Sequence, residues 1–338
     1  MRAIWNIRRY FSPLRHISPK VDIATAAHLN YGTHHRSGWN EAIWQAQRLH
    51  VRGGVLVDAF LERTLLWGES PGEAKSPNPK PHTRPWIGFA HNPSEMPDWY
   101  CPETHPQNYF RTDLWQKSEP HCRGLFAMSQ KEQIILAKKF SFPVEIIRLP
   151  TETPRHKFSA DAFLKNTEKK ILQVGYWLRK LHSIYFLRAP GWKKWILPGL
   201  RSLAEKGFEI EQQRFQYDVD PSSVTWRDHV KSVEYDRLLS ENIVFLDLYD
   251  ASANNAVVEC IVRSTPLLVN RIPAVVEYLG EDYPYYFNHL DEAAAKATDL
   301  TLALEAHEHL KRNPIKKTLT FMGFLEAFAN SQIYRNLQ

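Results

Sequence analysis

Two sets of residues stand out by type and spacing. In the second half of the chain, Gly175 follows the strand candidate Lys170–Val174 and precedes Arg179 and Lys180. A glycine lets a phosphate or a sugar approach the backbone, and two adjacent cations can neutralise a diphosphate. The other reading is a glycine turn with two solvated cations. Farther on, small residues including Ser252 precede Asn254 and Asn255. Asn254 suits an N-cap. A helix starting at Asn255 would turn free N–H groups and the positive end of its dipole toward an anion. Glu259 then interrupts an apolar stretch from Ala256 to Val262. A carboxylate there needs a partner: a pair of hydroxyls such as a ribose offers, or an arginine such as Arg271.

The other set is in the first half. His34, His35 and Arg36 lie between Gly32 and Gly38, and His91 follows the run Trp86–Ala90. Histidine titrates near neutrality, so each of the three suits a general base acting on a hydroxyl, and Arg36 suits a phosphate. A polar surface loop is the alternative for 31–39. Asp58 is a further candidate, or a cap for the helix after it. Trp99, Trp177 and other aromatics could stack on sugar rings, although most should be core or rim. Cys101, His105, His121 and Cys122 match no common zinc spacing. No Asp-x-Asp element follows a strand, so no catalytic metal is expected.

These residues need strand ends and helix starts to place them. Strands are expected at 21–24, 55–57, 86–90, 125–128 and 144–147. Helices are expected at 39–50 and, behind Ser129 as N-cap, at 131–140. A Pro- and charge-rich linker covers 150–170, and 68–85 reads as a surface loop. The alternation resumes with strands at 170–174, 243–248 and 266–269. Helices are expected at 192–206, 234–241, 255–263, 274–279, 291–312 and 316–337. Strand–helix alternation in both halves predicts two doubly wound parallel sheets.

The 338 residues suit two domains. Apolar residues at 43% and charged residues at 24% exclude wholesale disorder. The net charge of +6 suits a phosphorylated ligand without demanding one. The Lys and Arg are spread along the chain, so no nucleic-acid stripe forms. Three cysteines argue for a reducing compartment. No run is apolar enough for a signal or a membrane span, so a cytoplasmic protein is expected. Trp5, Arg8, Arg9, Tyr10, Phe11 and Arg15 could touch an anionic membrane face, or pack as a solvated arm. No Gly-x-Gly-x-x-Gly or Gly-x4-Gly-Lys-Ser/Thr follows a strand, which excludes the common dinucleotide and P-loop readings.

The stretch 243–286 resembles the nucleotide-sugar-binding half of the retaining GT-B glycosyltransferases. The resemblance rests on Asn255-Ala-Val-Val-Glu259-Cys, Ser264-Thr-Pro266-Leu-Leu-Val-Asn270 and Pro273-Ala-Val-Val-Glu277-Tyr. It implies that Glu259 matches the second Glu of the Glu-x7-Glu motif and holds a ribose. The first Glu falls at Ala251, flanked by Asp250 and Ser252, and this chain departs from the motif there. Gly175, Arg179 and Lys180 resemble the diphosphate-gripping element at a shifted spacing. The likeness is weaker over 86–93 and 124–129. It implies a metal-independent enzyme with no cofactor, which uses a nucleotide diphosphate sugar as donor and a glycan or glycolipid as acceptor. The nucleotide side would be Gly175, Arg179, Lys180, Ser252, Asn254, Asn255 and Glu259. Acceptor activation would fall to His91, His34 or His35, with Asp250 as the rival. The implied domains are 1–155, 156–315 and a helix at 316–338 crossing back to the first. A nucleotide-sugar epimerase and a non-enzymatic basic binding protein are the competing readings.

Overall fold

The computed structural model describes residues 17–23, 38–65, 80–102, 105–228 and 230–338. The aromatic N-terminal arm, His34, His35 and most of 68–85 lie outside these residues. In the first half, β1 (Val21–Asp22), α1 (Trp39–Ala46), β2 (Val55–Asp58), α2 (Leu61–Leu65), β3 (Trp86–Ala90), β4 (Cys122–Ala127), α3 (Gln130–Lys139) and β5 (Val144–Ile146) follow one another. The strands pair in parallel in the order β1-β2-β3-β4-β5. Every residue of β3 is buried, because a central strand is covered on both faces. Ser129 caps α3 by accepting from the Glu132 N–H.

The second half contains α4 (Ala160–Lys165), β6 (Lys170–Val174), β7 (Lys193–Leu197), α5 (Arg201–Phe215), β8 (Thr225–Trp226), α6 (Ser232–Glu241), β9 (Ile243–Leu246), α7 (Asn255–Arg263), β10 (Leu267–Asn270), α8 (Pro273–Leu279), β11 (Tyr286–Phe287), α9 (Leu290–Thr298) and α10 (Leu300–Arg312). Its parallel sheet has the order β11-β10-β9-β6-β7-β8. The winding direction reverses between β6 and β9. The loops after these two strands therefore leave the same edge side by side, and ligands bind at such a crevice.

The chain then returns to the first sheet through α11 (Phe321–Asn330) and α12 (Gln332–Arg335). Phe324, 1% exposed, meets Trp39 of α1 with ring centroids 5.4 Å apart. Lys20 Nζ donates to the carbonyls of Arg335 and Leu337 at 2.7 and 2.6 Å. The Glu145 carboxylate on β5 accepts from the Gln332 and Ile333 N–H groups, which caps α12. No described helix is long and apolar enough to cross a membrane.

Four expectations change in detail. The helix expected at 192–206 is β7 followed by α5. Lys193–Leu197 pairs with β6 along all five residues, and Gly199 at φ +77° separates strand from helix. The helix expected at 291–312 is two, because the Asp299 side chain accepts from the Leu302 N–H and starts a new one. The stretch 316–337 breaks into a 3-10 turn, α11 and α12, with Thr320 and Ser331 as caps. The linker 150–170 contains α4, capped by Ser159.

The return of α11 should be visible in stability. Phe324→Ala should cost about 3–5 kcal/mol of unfolding free energy, in the range for a buried Phe. Urea denaturation followed by tryptophan fluorescence measures it. A loss under about 1 kcal/mol would show that α11 does not complete the first domain's core.

Candidate functional site

The two switch-point loops are tied to each other. The Lys180 N–H donates to the Asp247 carbonyl at 2.8 Å, and the Tyr249 N–H to that of Leu178 at 3.0 Å. Gly175 adopts φ +77°, and a Cβ there would lie 2.9 Å from a terminal nitrogen of Arg179. The space beside the glycine is thus filled by the arginine. The Arg179 guanidinium is buried and donates to the carbonyls of Val174 and Trp177 and to Asn254 Oδ1, the last at 3.1 Å. Burial pushes its pKa down to about 10. Asn254 Oδ1 also accepts from the Ala256 and Val257 N–H groups at 3.0 and 3.3 Å. So the N-cap side chain occupies two of the amides at the start of α7, and Arg179 backs that cap.

Lys180 differs from its neighbour. Its side chain is 36% exposed and pairs with Asp247 at 2.8 Å. Ser252 is buried, and its Oγ has no hydrogen-bond partner among the described residues. Asn255 is the first residue of α7. Glu259, 3% exposed, accepts from the Tyr235 hydroxyl at 2.7 Å and lies 3.7 Å from Arg263, one turn along α7. Arg271, the arginine named as its alternative partner, pairs with Glu281 instead.

On the first domain, His91 follows β3 and is partly exposed. Its Nε2 lies 3.1 Å from the Ala59 carbonyl, so that nitrogen carries the proton and Nδ1 is the basic one. The ring stands edge-on to Trp39 at 4.6 Å and to Phe60 at 4.2 Å. Asp58 is fully buried; it accepts from the Phe60 N–H and the Thr64 hydroxyl, both at 3.0 Å, and meets His82 Nε2 at 2.8 Å. These bonds set the turn that leads into α2, with a histidine added.

The two sides meet around the start of α3, where Lys131, Glu95, Tyr100 and Arg148 join residues the sequence already marks. Lys131 on α3 contacts both oxygens of Asp250, at 2.8 and 3.0 Å, and Glu95 at 3.2 Å. The Glu277 carboxylate of α8 accepts from the Gln130 N–H at the start of α3 and pairs with Arg148 at 2.7 Å. The Tyr100 hydroxyl accepts from the Leu178 N–H at 2.8 Å. Trp99, half-buried, packs edge-on against Tyr249 at 5.0 Å, whereas Trp39, Trp86 and Trp115 are core. Glu62 accepts from the His91 and Asn92 N–H groups, and Glu132 from the Ser94 N–H and hydroxyl. Glu132 had a signal in the sequence: three residues after Ser129 it occupies the capping-box position, but its carboxyl goes to the other loop.

Burial pushes the Glu62 carboxyl from 4.5 up to about 8, and that of Glu132 up to about 7. The folded state therefore keeps protons that the unfolded chain releases above about pH 4.5. Their stabilising contribution is complete below that pH and is lost as pH rises through the folded values. Relative to the parent, Glu62→Gln should gain in Tm from about pH 5 to about pH 9. Differential scanning fluorimetry across that range reads the difference. Two parallel Tm curves would mean that Glu62 titrates normally.

No family model and no curated protein matches the sequence. Solved structures resemble the fold. The E. coli protein described as trehalose-6-phosphate bound with UDP-2-fluoro glucose aligns with a TM-score of 0.56 at 11% identity, over 90% of this chain and 78% of its own. WaaG, a glycosyltransferase involved in lipopolysaccharide biosynthesis, aligns at 0.51 and 12% identity, over 89% of this chain and 83% of its own. A variant of S. aureus TarM in complex with fondaparinux, alpha-GlcNAc-glycerol and UDP aligns at 0.53 and 12%, over 73% of this chain. The chain spans about half the length of that TarM, 51%. Two parallel sheets, a topological switch point in the second and a C-terminal helix that returns to the first give this chain the GT-B glycosyltransferase fold.

Proposed function

We propose that the chain is a glycosyltransferase that moves a sugar from a nucleotide diphosphate donor to a hydroxyl of a glycan or lipid-linked glycan, without a catalytic metal. The observation that carries this reading is the Lys131–Asp250 contact, which brings the switch-point crevice against the first-domain elements that include the His91 loop. The relatives whose descriptions name UDP or a UDP-sugar support the donor class. On this reading residues 1–155 receive the acceptor, 156–315 hold the donor, and 316–338 tie the two together.

The chemistry follows from charge. The acceptor hydroxyl bonds to the anomeric carbon, the bond from that carbon to the phosphate oxygen breaks, and the diphosphate leaves with the electron pair. Lys180, the exposed cation of the loop after β6, and the start of α7 beside Ser252 and Asn255 stabilise that charge. Arg179 acts from behind by holding Asn254 and Gly175 in place. The acceptor proton goes to His91 Nδ1, with His34 and His35 as further candidates. Asp250 reaches the donor sugar once Lys131 releases it.

Glu259 faces the ribose on this reading, and a nucleotide without hydroxyls tests it. The parent should bind UDP more tightly than 2′,3′-dideoxy-UDP by about 1.5–3 kcal/mol in calorimetry, the range for bonds to a charged group. Glu259→Gln should erase most of that preference. If the variant keeps the full preference, Glu259 does not hold the ribose.

Donor turnover, measured with EDTA present, tests the rest. His91→Gln should lower kcat by roughly 10²–10⁴ with donor affinity near the parent value. If Asp250→Asn is inactive while the His91, His34 and His35 variants all turn over, the chemistry belongs to Asp250. Activity that returns only on adding a divalent cation would end the metal-free reading. Interconversion of the donor with no acceptor present would indicate an epimerase.

A further inference from the structure

We propose that Glu62 is a positioning residue for His91: one buried carboxyl oxygen fixes the main chain that presents the imidazole to the cleft. Glu62 is fully buried. Its Oε1 accepts from the His91 N–H at 2.8 Å and the Asn92 N–H at 2.7 Å. The ring is held by the same short turn, because Nε2 meets the carbonyl of Ala59 and the ring stands edge-on to Phe60 at 4.2 Å. Residues 59–62 thus hold His91 at its backbone and at one ring nitrogen. The turn is itself set by Asp58, whose Oδ1 accepts from Phe60 and Thr64.

A structural role alone explains this poorly. A carboxyl buried without a cation is costly, and Glu62 has no salt bridge among the described residues. Its other oxygen, Oε2, has no hydrogen-bond partner there. Its bonds to the rest of the molecule go to His91 and Asn92. Glu132 repeats the arrangement at the far end of the same loop, where it takes the Ser94 N–H at 2.9 Å. The stretch from His91 to Ser94 is gripped at both ends by acidic side chains from two different helices. Burial also favours the protonated form of Glu62, so a glutamine, which keeps one acceptor oxygen, should replace it without loss.

This inference rests on the reading of His91 as the group that takes the acceptor proton, and the experiment separates the two. Glu62→Gln and Glu62→Met are compared with the parent by hydrogen exchange at the His91 and Asn92 amides and by nitrogen-15 spectra of the His91 ring. The parent amides should be protected like those of β3, and the ring should show the Nε2–H tautomer. Glu62→Gln should keep both signatures. Glu62→Met should lose about tenfold or more in protection at these two amides and show a tautomer mixture, while β3 stays protected. In turnover it should lower kcat and leave donor affinity unchanged. A Glu62→Met protein with the parent's tautomer and protection would overturn the proposal, as would fast exchange of these amides in the parent, a result that needs no variant to fold. If instead His91→Gln turns over normally while the Glu62→Met signatures change as expected, the catalytic reading falls and the positioning stands.

Discussion

Loops at the carboxyl edge of a parallel sheet carry main-chain N–H groups with no strand to receive them, and a buried N–H must find an acceptor. In this protein side chains from neighbouring helices and from the end of β10 supply it. Glu62 and Glu132 do so for the loop after β3. Glu211 on α5 does so for the loop after β6, accepting from Leu181 and His182 and meeting the His182 ring at 2.7 Å. Asn270 brackets the main chain of Leu248 after β9 through both its amide atoms. The crevice is shaped by these acceptors. Each ties a mobile type of segment to a helix or strand already fixed by core packing.

The same logic joins the domains. The N–H of Gln130 is satisfied by Glu277 from the other domain, and the Tyr278 hydroxyl donates to the Met128 carbonyl at 2.8 Å. Around these bonds lie the Lys131–Asp250 pair and the Tyr100–Leu178 bond. The Lys131 and Asp250 side chains are 19% and 7% exposed, so this pair is screened far less than a surface pair. The cleft in this conformation is held by polar contacts around the start of α3 together with a small aromatic cluster of Trp99, Tyr100, Trp177 and Tyr249.

Much of this was legible in the sequence. Apolar, β-branched runs marked β2, β3, β9 and β10, and Asn254 announced α7 because an N-cap is a local device. The failures were also local in origin. Lys193–Leu197 carries two lysines and a tryptophan and has no strand-like alternation, and it is its pairing between β6 and β8 that makes it a strand. The continuous helical pattern of 291–312 hid a cap at Asp299. Site partners were the least legible. The Gly175 and Arg179 pattern suggested a ligand, but the arginine fills the glycine's space itself. Glu62 and His91 are 29 positions apart, Lys131 and Asp250 are 119 apart, and no spacing rule links them.

The clasp of Lys20 on the last turn of the chain has a consequence for biosynthesis. Its partner Arg335 lies 315 positions later, and α11, which supplies Phe324 to the packing against Trp39, is made only after the whole second domain. The first sheet therefore leaves the ribosome with its α1 side uncovered and must wait while the second domain is synthesised and folds. The first sheet is completed only after the second domain has been made, and a chain stalled between the domains would expose Trp39 and Phe89 to any holdase or aggregation partner nearby.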